Sequence, residues 1–296
     1  MRGAPPDIIP ENQAFPLPLP VEHYENFPVA SWLLPAAVRP SVEAVYAFAR
    51  SADDFADEGD LPDAERIARL DGYGRGLDRI ERGERPEDPL FARLHDTIRA
   101  HDLPIPLFRD LLDAFRQDVT KKRYATFDEL MDYCRRSADP VGRIMLRLFA
   151  RDDEANRRDS DAICSSLQLI NHWQDVAVDW RKGRVYLPEE DLARYGITEA
   201  RIAAGRADGP WKDLMAFQCQ RARAMMRSGT PLGSRLPGRF GLEIRAICSG
   251  GLRILDKIEA VDGDVFAHRP VLAGADWLAV LWRAIVWRPE RARILR

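Results

Sequence analysis

From about residue 39 onward, apolar residues return every three or four positions, and no stretch keeps a period of two. Val42, Val45, Tyr46 and Ala49 follow this spacing, as do Ile163, Leu167 and Ile170. An α-helix brings such positions onto one face, so the pattern predicts amphipathic helices. Val and Ile never form alternating runs joined by hairpin turns, which leaves no signal for a sheet. Prolines fall between the helical stretches, at Pro86 and Pro89, Pro104 and Pro106, Pro188, Pro231 through Pro237, and Pro270. Proline lacks an N–H and clashes with the preceding turn, so these positions mark helix ends. The segments between them run roughly 15 to 30 residues, long enough for core helices. Thr126 with Glu129, and Asp161 ahead of Ile163, read as N-terminal caps. The expectation is an all-α chain of antiparallel helices around a central space.

No linker with a shifted composition divides the 296 residues. The organisation expected is a Pro-rich tail over 1–21, too rich in proline for a helix, and one all-α domain over 22–296. No charged-then-apolar signal pattern is found at the start. Lys and Arg number 44 against 47 Asp and Glu, so no basic footprint points to nucleic acid. Cys134, Cys164, Cys219 and Cys248 are widely spaced and read as reduced thiols, which suits a cytoplasmic location. The longest apolar stretch, Trp277 to Trp287, is interrupted by Arg283 and falls short of the roughly 20 residues of a spanning helix. It either packs on the bundle or, with Arg283, Arg288, Arg291 and Arg293 nearby, makes a peripheral membrane contact.

Two acidic stripes carry the chemistry. In Arg50-Ser51-Ala52-Asp53-Asp54-Phe55-Ala56-Asp57-Glu58, Asp53 and Asp57 share a helix face about 6 Å apart. Arg50 stands one turn before Asp53, and Tyr46 one turn before Arg50. Four acids in six positions repel one another unless a cation neutralises them. In Gln168 through Asp179, the residues Gln168, Asn171, Asp175 and Asp179 form a ladder of oxygen ligands on an otherwise apolar helix. A solvated face would mix lysine with glutamate. Either stripe alone is more often a solvated face than a site; both together, on two apolar helices, point to a site. Oxygen ligands suit Mg²⁺, which takes one or two carboxylates and completes its shell with water and substrate phosphate. Facing stripes could hold roughly two or three such ions against a diphosphate leaving group, with Arg50 adding bidentate contacts.

These segments, continued by Arg181-Lys-Gly-Arg184-Val-Tyr186-Leu-Pro188, resemble the squalene/phytoene synthase family of isoprenoid enzymes. Leu33-Leu34-Pro35, Ile254 through Ile258, and Asp264-Val-Phe266 add weaker support, so the resemblance covers about residues 22 to 270. It implies an isoprenoid synthase helical bundle around a central apolar cavity, acting on a prenyl diphosphate. It further implies Mg²⁺ held by Asp53, Asp57, Asn171, Asp175 and Asp179. Catalytic roles would fall to Asn26, Tyr46, Gln174 and Tyr186, with Tyr186 lining the cavity. Substrate contacts would fall to Phe27, Arg50, Ser137, Gln168 and His172. Such a cavity must exclude stray water, because any nucleophile within reach quenches a carbocation.

Departures from the family pattern bear on which reaction is catalysed. Asn26 and Pro28 stand where paired serines are usual, and Ser137-Ala138-Asp139 replaces Val-Ala-Gly. Arg135, Gln174 and Gly251 stand in place of Tyr, Arg and Tyr. The combination resembles the bacterial hopanoid-pathway branch. That resemblance implies ionisation of presqualene diphosphate, rearrangement of the cation and capture by water to give hydroxysqualene. Asn26, Ser137, His172 and Gln174 are candidates to place that water, and each serves equally well as a structural group. Head-to-head condensation of two prenyl diphosphates is the rival reading. A non-catalytic assembly factor is more distant, because the aspartate motifs are intact. Contact with neighbouring enzymes of the squalene pathway stays open. Gly72-Tyr73-Gly74-Arg75-Gly76 follows no strand, so no NAD(P)H site is expected. The five histidines have no zinc spacing, and Lys121-Lys122-Arg123 reads as a solvated cluster.

Overall fold

A computed structural model describes residues 35–287. The tail over 1–21, Asn26 and Phe27 lie outside the described residues. The described residues contain helices and no strand: α1 (Arg39–Asp57), α2 (Asp63–Glu81), α3 (Pro89–His101), α4 (Ile105–Thr120), α5 (Phe127–Ser137), α6 (Asp139–Leu148) and α7 (Glu154–Gln174). There follow α8 (Val176–Arg181), α9 (Glu189–Arg194), α10 (Glu199–Ala203), α11 (Pro210–Gly229), α12 (Leu232–Arg235), α13 (Gly238–Ala260) and α14 (Gly274–Ile285). Prolines begin or precede α3, α4, α9, α11, α12 and α13, as their missing N–H favours.

Helix α1 packs on α2, α3 and α4; α7 packs on α11 and α13; α5 and α6 each touch α4 and α7 and so join the two groups. Helix α1 buries Val42, Val45, Phe48, Ala52 and Ala56, a stripe at steps of three and four. Phe48 meets Phe91 and Phe108 edge-on, at 6.0 and 5.6 Å between ring centres, a favoured aromatic geometry. Helix α7 runs through the middle and buries Ile163, Leu167, Leu169, Ile170 and Trp173. Each such side chain contributes roughly 1.5–3 kcal/mol on leaving water.

Thr126 caps α5, its hydroxyl accepting from the Glu129 N–H at 3.2 Å. Asp161 is not a cap. Helix α7 starts two turns earlier, where Asp153 accepts from the Asn156 N–H at 2.9 Å. The first turns of α7 are polar, so the apolar period begins later than the helix. Asp161 instead takes a fork from Arg143, at 2.9 and 2.7 Å. The stripe from Asn171 to Asp179 is likewise not one continuous helix. It breaks at Asp175 (φ −107°, ψ 15°), between α7 and α8, although the Asp175 and Asp179 N–H groups still bond one turn back. The glycine run Gly72–Gly76 lies within α2, where a Cβ on Gly76 would come within 2.3 Å of the Phe91 ring. Gly76 thus serves close packing of α2 on α3.

Candidate active site

A cavity of about 440 Å³ opens between α1, α4, α5, α6 and α7. Its wall changes character along two helices in the same sense. Along α1 the lining passes from Val42 and Val45 through Tyr46, Ala49 and Arg50 to Asp53. Along α7 it passes from Cys164 and Leu167 through Gln168 and Asn171 to Gln174 and Asp175. Leu111, Phe115, Ile144 and Met145 complete the apolar part. Both oxygen-bearing stripes thus share one end of a hydrocarbon-lined space. The helical period makes this happen: one face of each helix carries apolar residues in its middle and acids at its C-terminal end.

Acids at a helix C-terminus oppose the negative end of the macrodipole, a penalty of about 0.3–1 kcal/mol each. Cations on α1 itself and from elsewhere in the chain offset it. Arg50 pairs with Asp54 at 2.6 Å and Asp53 at 3.4 Å. Lys182 reaches Asp57 at 3.2 Å, and Arg184 donates to the same carboxylate. Arg269 forks onto Asp175, its Nη2 at 3.1 Å from Oδ2. Burial pushes the Asp57 carboxyl up, but Arg184 and Lys182 outweigh it and hold the group below its ordinary value. Asp179 lies off the cavity lining, and burial, with Asp175 nearby, pushes it up to about 7.

Several expected site residues stand elsewhere. Tyr186 does not line the cavity. It sits behind the wall, its hydroxyl 3.3 Å from Asp118 Oδ1, with its ring stacked on Tyr124 and on His172. His172 is also off the lining. Its ring lies 3.7 Å from that of Tyr186, its Nε2 has no hydrogen-bond partner among the described residues, and burial pushes it down to about 3, so it is neutral. Gln174 does line the cavity, and its amide donates to the Pro270 carbonyl. Ser137 lines it too, with an Oγ that is buried and has no hydrogen-bond partner among the described residues.

Sequence reasoning missed three lining groups. Asp118 accepts from the Tyr133 hydroxyl at 2.8 Å, and burial pushes it up to about 6 against the pull of Arg184. The readable signal was one carboxylate on the apolar face of α4, a turn beyond Phe115 and two beyond Leu111. Tyr133 and Arg269 left no comparable trace, because the contacts that define them are distant in sequence.

No group of three or more His, Cys, Asp or Glu among the described residues forms a ready metal cage. Asp53, Gln168, Asn171 and Asp175 instead spread oxygen donors along the rim. That arrangement fits a cation which draws most of its ligands from a phosphate and water.

Residues 21–276 match the squalene/phytoene synthase family. Over 240 residues the chain is 35% identical to a hydroxysqualene synthase of Rhodopseudomonas palustris, covering 80% of each chain. It is 32% identical over 290 residues to a phytoene synthase of Arthrospira platensis, covering 93% of this chain and 91% of that one. The crystal structure of squalene synthase HpnC from Alicyclobacillus acidocaldarius superposes with a TM-score of 0.76 at 40% identity, over 81% of this chain and 90% of the other.

Proposed function

The chain belongs to the squalene/phytoene synthase family, and on that footing we propose that it converts presqualene diphosphate and water to hydroxysqualene and diphosphate. The observation that carries the reading is the meeting of two oxygen-bearing stripes at one end of an apolar cavity. Relatives named hydroxysqualene synthase, at up to 35% identity, support the finer choice. The resemblance of the segment from Ser137 to Gly142 to the hopanoid-pathway branch supports it as well.

In this reading the diphosphate lies at the rim and the hydrocarbon fills the cavity. Mg²⁺ held by Asp53, Asn171 and Asp175, with Asp57 and Asp179 behind them off the cavity lining, would supply positive charge to the departing diphosphate. Arg50 and Arg269, now engaged with Asp53, Asp54 and Asp175, turn to the phosphate oxygens and add fixed positive charge. Tyr46 and Gln168 orient the cleaving C–O bond. The cyclopropylcarbinyl cation rearranges among Val45, Leu111, Phe115, Ile144 and Leu167, none of which offers a nucleophile. One water, held by Ser137 Oγ, adds to the rearranged cation, and its proton leaves with the diphosphate. No reductant enters this sequence. Asn26 and Phe27 lie outside the described residues and are assigned to the substrate flap by resemblance alone.

The test is product identification. The purified protein with Mg²⁺ and no NADPH receives either presqualene diphosphate or farnesyl diphosphate in oxygen-labelled water. The expected result is turnover of presqualene diphosphate only, with labelled oxygen in the alcohol. Coupling of farnesyl diphosphate would overturn the reading in favour of head-to-head condensation, which the phytoene synthase relative would then explain.

A further inference from the structure

We infer that the outer face of α14 docks on an anionic lipid bilayer. Trp277, Leu278, Leu281, Trp282 and Ile285 form two adjacent ridges along this helix at four-residue steps, and Val286 extends them. All six are exposed, Leu278 by 73% and Trp282 by 65%. Apolar side chains of this size, side by side in water, are unusual and mark a contact surface.

The helix cannot roll to hide them. Its inner face is already engaged: Val280 and Ala284 are buried, and α14 packs on α13. Asp276 is clamped to α13 by Arg253 at 2.7 Å and Lys257 at 2.6 Å, and it also accepts from the Ala273 N–H at 2.9 Å. The apolar ridges are therefore held outward by ion pairs.

Three observations select a bilayer as the occupant. The face is about 18 Å long, from twelve residues at 1.5 Å each. A strip of that length and one helix wide offers a few hundred Å², less than the roughly 800 Å² per partner of a stable protein interface. The charge matches anionic headgroups: Arg283 lies on the helix flank, 3.8 Å from Asp256, and the sequence beyond it carries Arg288, Arg291, Arg293 and Arg296 against Glu290 alone. Paired tryptophans with flanking arginines are the side chains that settle at a lipid–water boundary. No described helix is long and apolar enough to cross a membrane, so the contact is with the surface.

The segment leading into α14 forms the cavity rim, since Arg269 holds Asp175 and Pro270 accepts from Gln174. Delivery of a prenyl chain from bilayer to cavity along this route rests on the function proposed above. The docking itself rests on α14 alone.

The experiment is flotation of the full chain with vesicles of phosphatidylcholine, with or without about 30% phosphatidylglycerol, at low and high salt. The expected result is binding to the anionic vesicles, weakened by salt. The Leu278→Ser/Trp282→Ser variant should lose at least about tenfold in partitioning, with unchanged turnover of detergent-dispersed substrate. Brominated lipid should quench wild-type tryptophan emission more than that of a Trp277→Phe/Trp282→Phe variant. The inference fails if the wild type ignores anionic vesicles, or if the serine variant floats as the wild type does. It fails equally if sedimentation shows a dimer that the serine variant dissociates, which would make the face a self-contact. Vesicle binding needs no substrate, so its failure is separable from an error in the assigned reaction.

Discussion

Replacing Asp139 by Asn should stabilise this protein progressively as pH rises from mildly acidic to neutral. Asp139 is 6% exposed at the start of α6 and accepts from Ser165 Oγ at 2.7 Å. Burial pushes its carboxyl from an ordinary 3.8 up to about 7, with Asp161 adding to the rise and Ser165, Arg143 and Arg135 opposing it. The folded protein therefore holds this proton more tightly than the unfolded chain does. The stability it contributes falls as pH rises from about 4 to about 7, then stays level. From pH 5 to pH 8 about two pH units of that window are crossed, worth about 3 kcal/mol at 1.36 kcal/mol per unit. Asparagine keeps the acceptor for Ser165 and removes the charge, at a penalty of about 1 kcal/mol for an added N–H group without a partner. By pH 5 about one unit of that window is already crossed and offsets the asparagine penalty. Asp139→Asn should therefore match wild type to within about 1 kcal/mol near pH 5 and be more stable by about 3 kcal/mol near pH 8. At about 2–4 °C per kcal/mol, the difference in melting temperature should move by about 6–12 °C between the two conditions. Thermal unfolding followed by circular dichroism reads this directly. His172, buried and neutral, lowers stability as pH falls below its ordinary 6.5, but it does so equally in both proteins and cancels in the comparison. A difference that does not vary with pH, or an Asn variant that is weaker near pH 8, would show that Asp139 is ionised and paired in the fold.

Asp53→Ala and Asp175→Ala should each lower turnover by at least about 100-fold while leaving the helical circular dichroism intact. Chelation of Mg²⁺ should stop wild-type turnover reversibly; full activity in any of the three would contradict the ligand assignment. Gly142→Ala should cost about 1–3 kcal/mol by overpacking, because the new Cβ would stand 2.3 Å from Ser160 Oγ and 2.6 Å from Cys164 Sγ. Denaturant titration measures it, and adding Ser160→Ala with Cys164→Ala should recover most of the loss. Thr126→Ala should cost about 1 kcal/mol by uncapping α5, seen as a lower denaturation midpoint at unchanged slope.

Spacing along the chain was sufficient for the helical class, for most helix ends and for the two oxygen-bearing faces, because each is set by neighbours within one or two turns. The same information placed a cap at Asp161 and drew α7 through Asp175 without a break, since polar first turns and a single-residue kink leave the apolar period almost unchanged. Which cation meets which acid was decided elsewhere: Lys182 and Arg184 reach Asp57 across more than a hundred residues, and Arg269 reaches Asp175 from the far side of α13 in sequence. So was the placing of His172 and Tyr186 behind the wall, where Tyr124 and Asp118 hold them. The stretch from Trp277 to Trp287 divides the two kinds of knowledge most clearly. Its composition marks it as apolar on nearly every side. Only the packing of α14 against α13, fixed by Asp276 between Arg253 and Lys257, determines which side the bundle covers and which is left to the surroundings. Periodicity is a local property of the helix, whereas burial depends on what the rest of the chain brings against it.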